Sequence, residues 1–76
     1  MTVHVTARLM LTVEREDYVL PEGADAAAAV ELLRGKHPEL GEMDALLISR
    51  NGKRAGRSEP LSDGDALELI LLMGGG

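Results

Sequence analysis

Val3, Val5, Ala7, Leu9, Leu11 and Val13 alternate along the chain with Thr2, His4, Thr6, Arg8, Met10 and Thr12. A period of two sends successive side chains to opposite faces, so this stretch predicts a half-buried strand with its odd positions inward. Polar Glu14 to Asp17 follow, and Tyr18-Val19-Leu20 predicts a second strand that returns antiparallel as a hairpin and ends at Pro21-Glu22-Gly23. The period then changes. Ala26, Ala29, Val30 and Leu33 recur at helical spacing behind Asp25, whose carboxylate can accept backbone N–H bonds as an N-cap. The helix is expected to start at about residue 26. Gly35 could close it as the C′ residue, or it could run on to His37 before Pro38; the later end is preferred.

Leu46-Leu47-Ile48 predicts a third strand, and the Asn51-Gly52 pair behind it supplies the positive φ of a tight hairpin turn. Lys53 to Ala55 is then a short fourth strand. A turn cluster, Pro60 to Asp65, leads into a fifth strand over Ala66 to Met73, with Leu67, Leu69 and Leu71 on one face and Glu68, Ile70 and Leu72 on the other. A helix that buries its one apolar face across such strands makes a two-layer α+β domain. The expected organisation is one domain over residues 1–73 and a flexible glycine tail over 74–76, without linker, repeat or second core.

With 76 residues there is room for one small domain, and without cysteine neither disulfides nor zinc thiolates can assist it. Aliphatic packing must offset the ordering entropy alone. Thirteen acidic against eight basic residues give a net charge of −5, and Tyr18 is the single aromatic residue. Phosphate backbones would repel such a chain and bases would find no stacking platform, which argues against nucleic acid. Arg8 interrupts the N-terminal apolar stretch before it could serve as a signal-peptide core, and Leu69 to Met73 is far too short to span a bilayer. The expectation is a cytoplasmic protein without membrane contact, whose acidity is compatible with steering toward a basic partner.

Several short segments, in order, carry a family resemblance: Ala7-Arg8-Leu9, Leu20-Pro21-Glu22-Gly23, Leu33 through His37-Pro38-Glu39-Leu40, Asn51-Gly52, Leu61-Ser62-Asp63-Gly64-Asp65, and the closing Gly74-Gly75-Gly76. Together they resemble the ubiquitin-like β-grasp sulfur carriers, of the molybdopterin synthase small-subunit and thiamine-pathway type. The departures are three terminal glycines where two are usual, Met73 before them and no Phe in the first strand. The resemblance implies a β-grasp fold, a mixed sheet of four to five strands packed on one helix.

It also implies a carrier rather than an enzyme. The carboxylate of Gly76 would be adenylated and converted to a thiocarboxylate, with ATP used by a partner activating enzyme and no cofactor bound by the chain itself. The implied partners are that adenylating enzyme, a sulfur donor and a sulfur-accepting synthase subunit, in cofactor biosynthesis such as that of molybdenum cofactor or thiamine. The chemistry of the tail agrees independently. A carboxylate is a poor acyl donor, and conversion to an acyl-adenylate makes attack by a nucleophile feasible. Gly74 and Gly75, without side chains, can thread a slot too narrow for a Cβ.

A strand face bearing Ile70 and Leu72 outward is unusual in so small a chain, so Arg8, Glu68, Ile70, Leu72 and Met73 are expected to form the partner surface. Two other functions fit the same residues. A protein modifier would acylate a target lysine through Gly76, although Lys36 and Lys53 alone offer few sites for self-linked chains. A non-covalent interaction module would not use the tail at all.

Other constellations lead to ordinary structure. Gly52 to Ser58 lacks the Gly-Lys-Ser/Thr ending of a phosphate-binding loop and predicts a basic hairpin. His4 and His37 have no partners at metal-ligand spacing, and Asp63 and Asp65 flank Gly64 as turn residues without the rest of a calcium loop. Ser49, Ser58 and Ser62 sit in or beside turns, and no catalytic or metal residue is expected.

Overall fold

The computed structural model describes residues 1–38 and 46–72. The elements run β1 (Thr2–Leu9), β2 (Thr12–Val19), α1 (Ala26–Lys36), β3 (Leu46–Arg50), β4 (Lys53–Ala55) and β5 (Ala66–Leu71). They form one five-stranded sheet in the order β2-β1-β5-β3-β4. The central pair, β1 and β5, is parallel, whereas β1–β2, β3–β5 and β3–β4 are antiparallel, so the sheet is mixed.

In β1 the expected alternation holds: Val3, Val5, Ala7 and Leu9 are buried. It stops at Leu9. Leu9 pairs with Thr12, which leaves Met10-Leu11 as a two-residue turn, and the alternation read on to Val13 is corrected there. Leu11 stands at the tip, 99% exposed. Val13 pairs with Arg8 and so shares the outward face of that residue. The second strand begins at Thr12, well before Tyr18, because its polar residues also pair with β1, and it ends at Val19, so Leu20 lies just outside it.

Asp25 caps α1 as expected, its Oδ1 accepting the Ala28 N–H at 3.2 Å. The next free amides of the first turn are met by the loop after β4, where Glu59 O accepts from Ala26 and Arg57 O from Ala27. Gly35 lies inside the helix, and His37 is the C-cap, donating its backbone N–H to Leu33 O and Arg34 O. Ala26, Ala29, Val30 and Leu33 face the sheet and meet Val3, Val5, Leu67, Leu69 and Ile48 in one core. Small alanines on that face let the helix axis approach the strands closely, which suits a domain with little volume to spare.

Tyr18 closes the core beneath β2 and is 4% exposed. Burial, then the nearby Glu16 and Glu14 carboxylates, push its phenol up to about 12, so it stays neutral. Lys36 Nζ lies 2.8 Å from Glu16 Oε2 and 5.8 Å from the Tyr18 ring centroid, tying the end of α1 to β2.

At β3–β4, Asn51 and Gly52 have φ of 52° and 84°, the left-handed pair that a tight hairpin turn needs. The fifth strand is assigned to Leu71. Leu72 lies beyond it, while Met73 and the tail expected over 74–76 fall outside the described residues. No helix among the described residues is long and apolar enough to cross a membrane.

Candidate functional site

The sheet has one face under the helix and one face open. Strand register sets the open face out in rows. Nearest the end where β5 leaves the sheet, Val13, Arg8, Ile70 and Leu47 are successive cross-strand neighbours. The next row is Arg15, Thr6, Glu68, Ser49 and Arg54. The third carries Asp17, His4 and Ala66. Parallel pairing of β1 with β5 directs both strands the same way, and their register ends with Arg8 opposite Ile70, close to the β1–β2 turn. The chain therefore leaves β5 beside the β1–β2 turn.

Four of the expected partner-surface residues meet here. Arg8 Nε donates to Glu68 Oε2 at 2.6 Å, a diagonal pair between the two central strands. Ile70 is half-buried on the same face, and Leu72 is 44% exposed at its margin. Leu71 packs instead against the core, as its parity predicts. Met73, Gly74, Gly75 and Gly76 lie outside the described residues.

Residues that the sequence reading did not assign to this surface adjoin it. Leu47 flanks Ile70 from β3, Val13 flanks Arg8 from β2, and Met10 and Leu11 are exposed in the β1–β2 turn. The hairpin turn has neither Gly nor Asn, which is why the alternation ran straight past it. Once the chain reverses at Met10-Leu11, Val13 shares a face with Arg8 and not with Leu9.

The polar candidates are structural. Asp63 Oδ1 accepts the Thr2 N–H at 2.7 Å. Asp65, 6% exposed, accepts from Arg50 Nε at 2.7 Å, Asn51 Nδ2 at 3.0 Å and the Ser62 N–H at 2.7 Å. These bonds, that from Arg50 first, hold its carboxyl down to about 2. His4 Nδ1 lies 2.7 Å from Asp17 Oδ1, and His37 Nε2 lies 2.9 Å from Glu14 Oε1. Among the described residues no group of three His, Cys, Asp or Glu could hold a metal ion. The arrangement offers a surface and a chain end leaving beside it.

A mixed five-stranded sheet grasping one helix, with a parallel central pair and the chain departing from the last strand, defines a ubiquitin-like β-grasp protein. The sequence model of the ThiS family matches residues 3–76, and the chain belongs to that family. Its structure is similar to a putative molybdopterin converting factor, subunit 1, from Pyrococcus furiosus, with a TM-score of 0.78 and 25% identity over 95% of this chain and 98% of the other. SAMP1 from Haloferax volcanii is similar at a TM-score of 0.74 and 25% identity, with both chains covered in full. The thiamine biosynthesis protein ThiS from Geobacter metallireducens, at 18% identity, 100% coverage of both chains and a TM-score of 0.62, shares the fold. No curated protein matches the chain by sequence. The protein is thus a small ubiquitin-like carrier, of the sulfur-carrier or modifier type, and not an enzyme. Members of the family work with activating enzymes and synthase subunits.

Proposed function

We propose that this protein carries sulfur as a thiocarboxylate on Gly76. In the proposed sequence the Gly76 carboxylate attacks the α-phosphorus of ATP on a partner enzyme, pyrophosphate leaves, and the acyl-adenylate forms. Hydrosulfide then attacks the acyl carbon, AMP leaves and the thiocarboxylate forms; its sulfur displaces a leaving group from an activated acceptor on a synthase subunit in cofactor biosynthesis, and water cleaves the resulting acyl–sulfur bond to restore the Gly76 carboxylate. Gly74 and Gly75 serve as the threading segment. Arg8, Glu68, Ile70, Leu72 and Met73 form the face that docks on the activating enzyme. The observation that carries this reading is the ThiS family match, which runs through the glycine tail to residue 76. The position of β5 supports it, since an enzyme that holds the tail must sit against the end of the sheet where Ile70 and Leu72 stand.

Incubation with its activating enzyme, ATP and a sulfur source should replace one terminal oxygen by sulfur in the intact mass, and ATP alone should leave the mass unchanged. An amide-linked adduct on a lysine as the only product would overturn the carrier reading. That outcome belongs to the second reading, a protein modifier, which the full-length similarity to SAMP1 favours. Pyrophosphate exchange that does not depend on the tail would leave only a non-covalent β-grasp module.

A further inference from the structure

The net charge of −5 suggests a basic partner, but the rows of the open face carry three arginines, Arg8, Arg15 and Arg54, against two acids, Asp17 and Glu68. Its acids already have partners: Glu68 is bound by Arg8, and Asp17 by His4. Arg15 and Arg54, both exposed, make no ion pair among the described residues. They stand at the two ends of one cross-strand row, Arg15 on β2 and Arg54 on β4, with Thr6, Glu68 and Ser49 between. Four strand spacings separate them, roughly 19 Å of backbone. The apolar row of Ile70 and Leu47 lies alongside, on the side of the departing chain.

We infer that the surface of the activating enzyme that receives this face is acidic at its two margins and apolar where it meets the row of Ile70 and Leu47, with Arg15 and Arg54 as the charged anchors. The inference rests on the docking role proposed above and adds the chemistry of the partner. An arginine that is already exposed and unpaired loses no internal contact when it meets a carboxylate. Its guanidinium fork also suits bidentate pairing. Such rim charges set encounter and orientation, while the apolar row of Ile70 and Leu47 supplies the desolvated contact.

Reversing both charges, Arg15→Glu with Arg54→Glu, tests this directly. The two schemes differ in sign, since the variant is four charges more negative than the parent. Binding to the purified activating enzyme of the same organism, followed without ATP, should weaken at least about tenfold at low ionic strength. The difference should shrink at 0.5–1 M salt, where the Debye length is only about 3–4 Å. Arg15→Gln with Arg54→Gln should fall between. Tighter binding of the reversed variant would mean a basic partner surface, and unchanged binding, or none by the parent, would mean that the face does not dock; each overturns the inference. Sedimentation of the protein alone covers the remaining occupant, because self-association lost in the variant would make a second copy the partner. Adenylation is read separately: a parent that binds through its arginines yet supports no pyrophosphate exchange overturns the carrier reading and leaves the surface assignment standing.

Discussion

Arg50 on β3 and Asp65 at the entrance to β5 are joined by a 2.7 Å bond from Nε to Oδ2, and the carboxylate that receives it is almost wholly buried. The bond fixes where β5 begins. Asp65 also takes the Ser62 N–H and Asn51 Nδ2, while Asn51 exchanges bonds with the Ala66 backbone in both directions. One acid therefore ties the turn before β5 to the turn after β3. Arg50 Nη1 extends the network to Glu59 at 3.2 Å, beside the loop that caps α1.

Acid should release this anchor. The Asp65 carboxyl is held at about 2, below its ordinary 3.8, so its contribution to stability is complete above the ordinary value and is lost as the pH falls toward 2. Thermal melts between pH 5 and 2 should show the loss. Asp65→Asn should lower stability by about 1–3 kcal/mol at neutral pH and remove that part of the acid dependence. An unchanged acid profile in the variant would show that other carboxylates control it.

Parity along β5 separates folding from docking. Leu69 is fully buried, and Leu69→Asp would put a carboxylate into the core at a cost of several kcal/mol, comparable with the roughly 3–5 kcal/mol that so small a core supplies. That variant should be unfolded by circular dichroism. Ile70→Asp, one residue on, points to the open face and should keep its fold while weakening binding to the activating enzyme.

The β1–β2 turn makes a contrasting case. A leucine inside the core costs about 2–5 kcal/mol when truncated, but Leu11 is 99% exposed. Leu11→Ser should shift stability by no more than about 0.5 kcal/mol. Urea denaturation will distinguish these, and a loss of 2 kcal/mol or more would restore the uninterrupted alternation through Val13.

Gly75→Val adds a β-branched side chain next to the reacting carboxyl group and restricts φ. Thermal stability should equal that of the parent, because the substitution lies beyond the last core residue. Pyrophosphate exchange should be lost. Full exchange by the variant would remove the steric reason for a glycine tail.

Local pattern by itself determined much of this protein. The alternation of Val3 to Leu9, the capped alanine helix after Asp25, the Asn51-Gly52 turn and the inward parity of Leu67 and Leu69 each depend on neighbours within a few residues. Short-range periodicity is enough to specify them. The order of segments ending in glycines carried the resemblance to the family that the chain proved to join. Tertiary structure decided the rest, because strand register belongs to two strands and cannot be read from one. Pairing Leu9 with Thr12 stopped β1 and sent Val13 outward. Pairing β1 with β5, some sixty residues away in sequence, joined Arg8 to Glu68. Continuation across β3 and β4 placed Arg15 and Arg54 in one row. Asp65, a turn residue in sequence, became a buried anchor only when Arg50 at the end of β3 and Asn51 in the turn after it arrived to satisfy its charge.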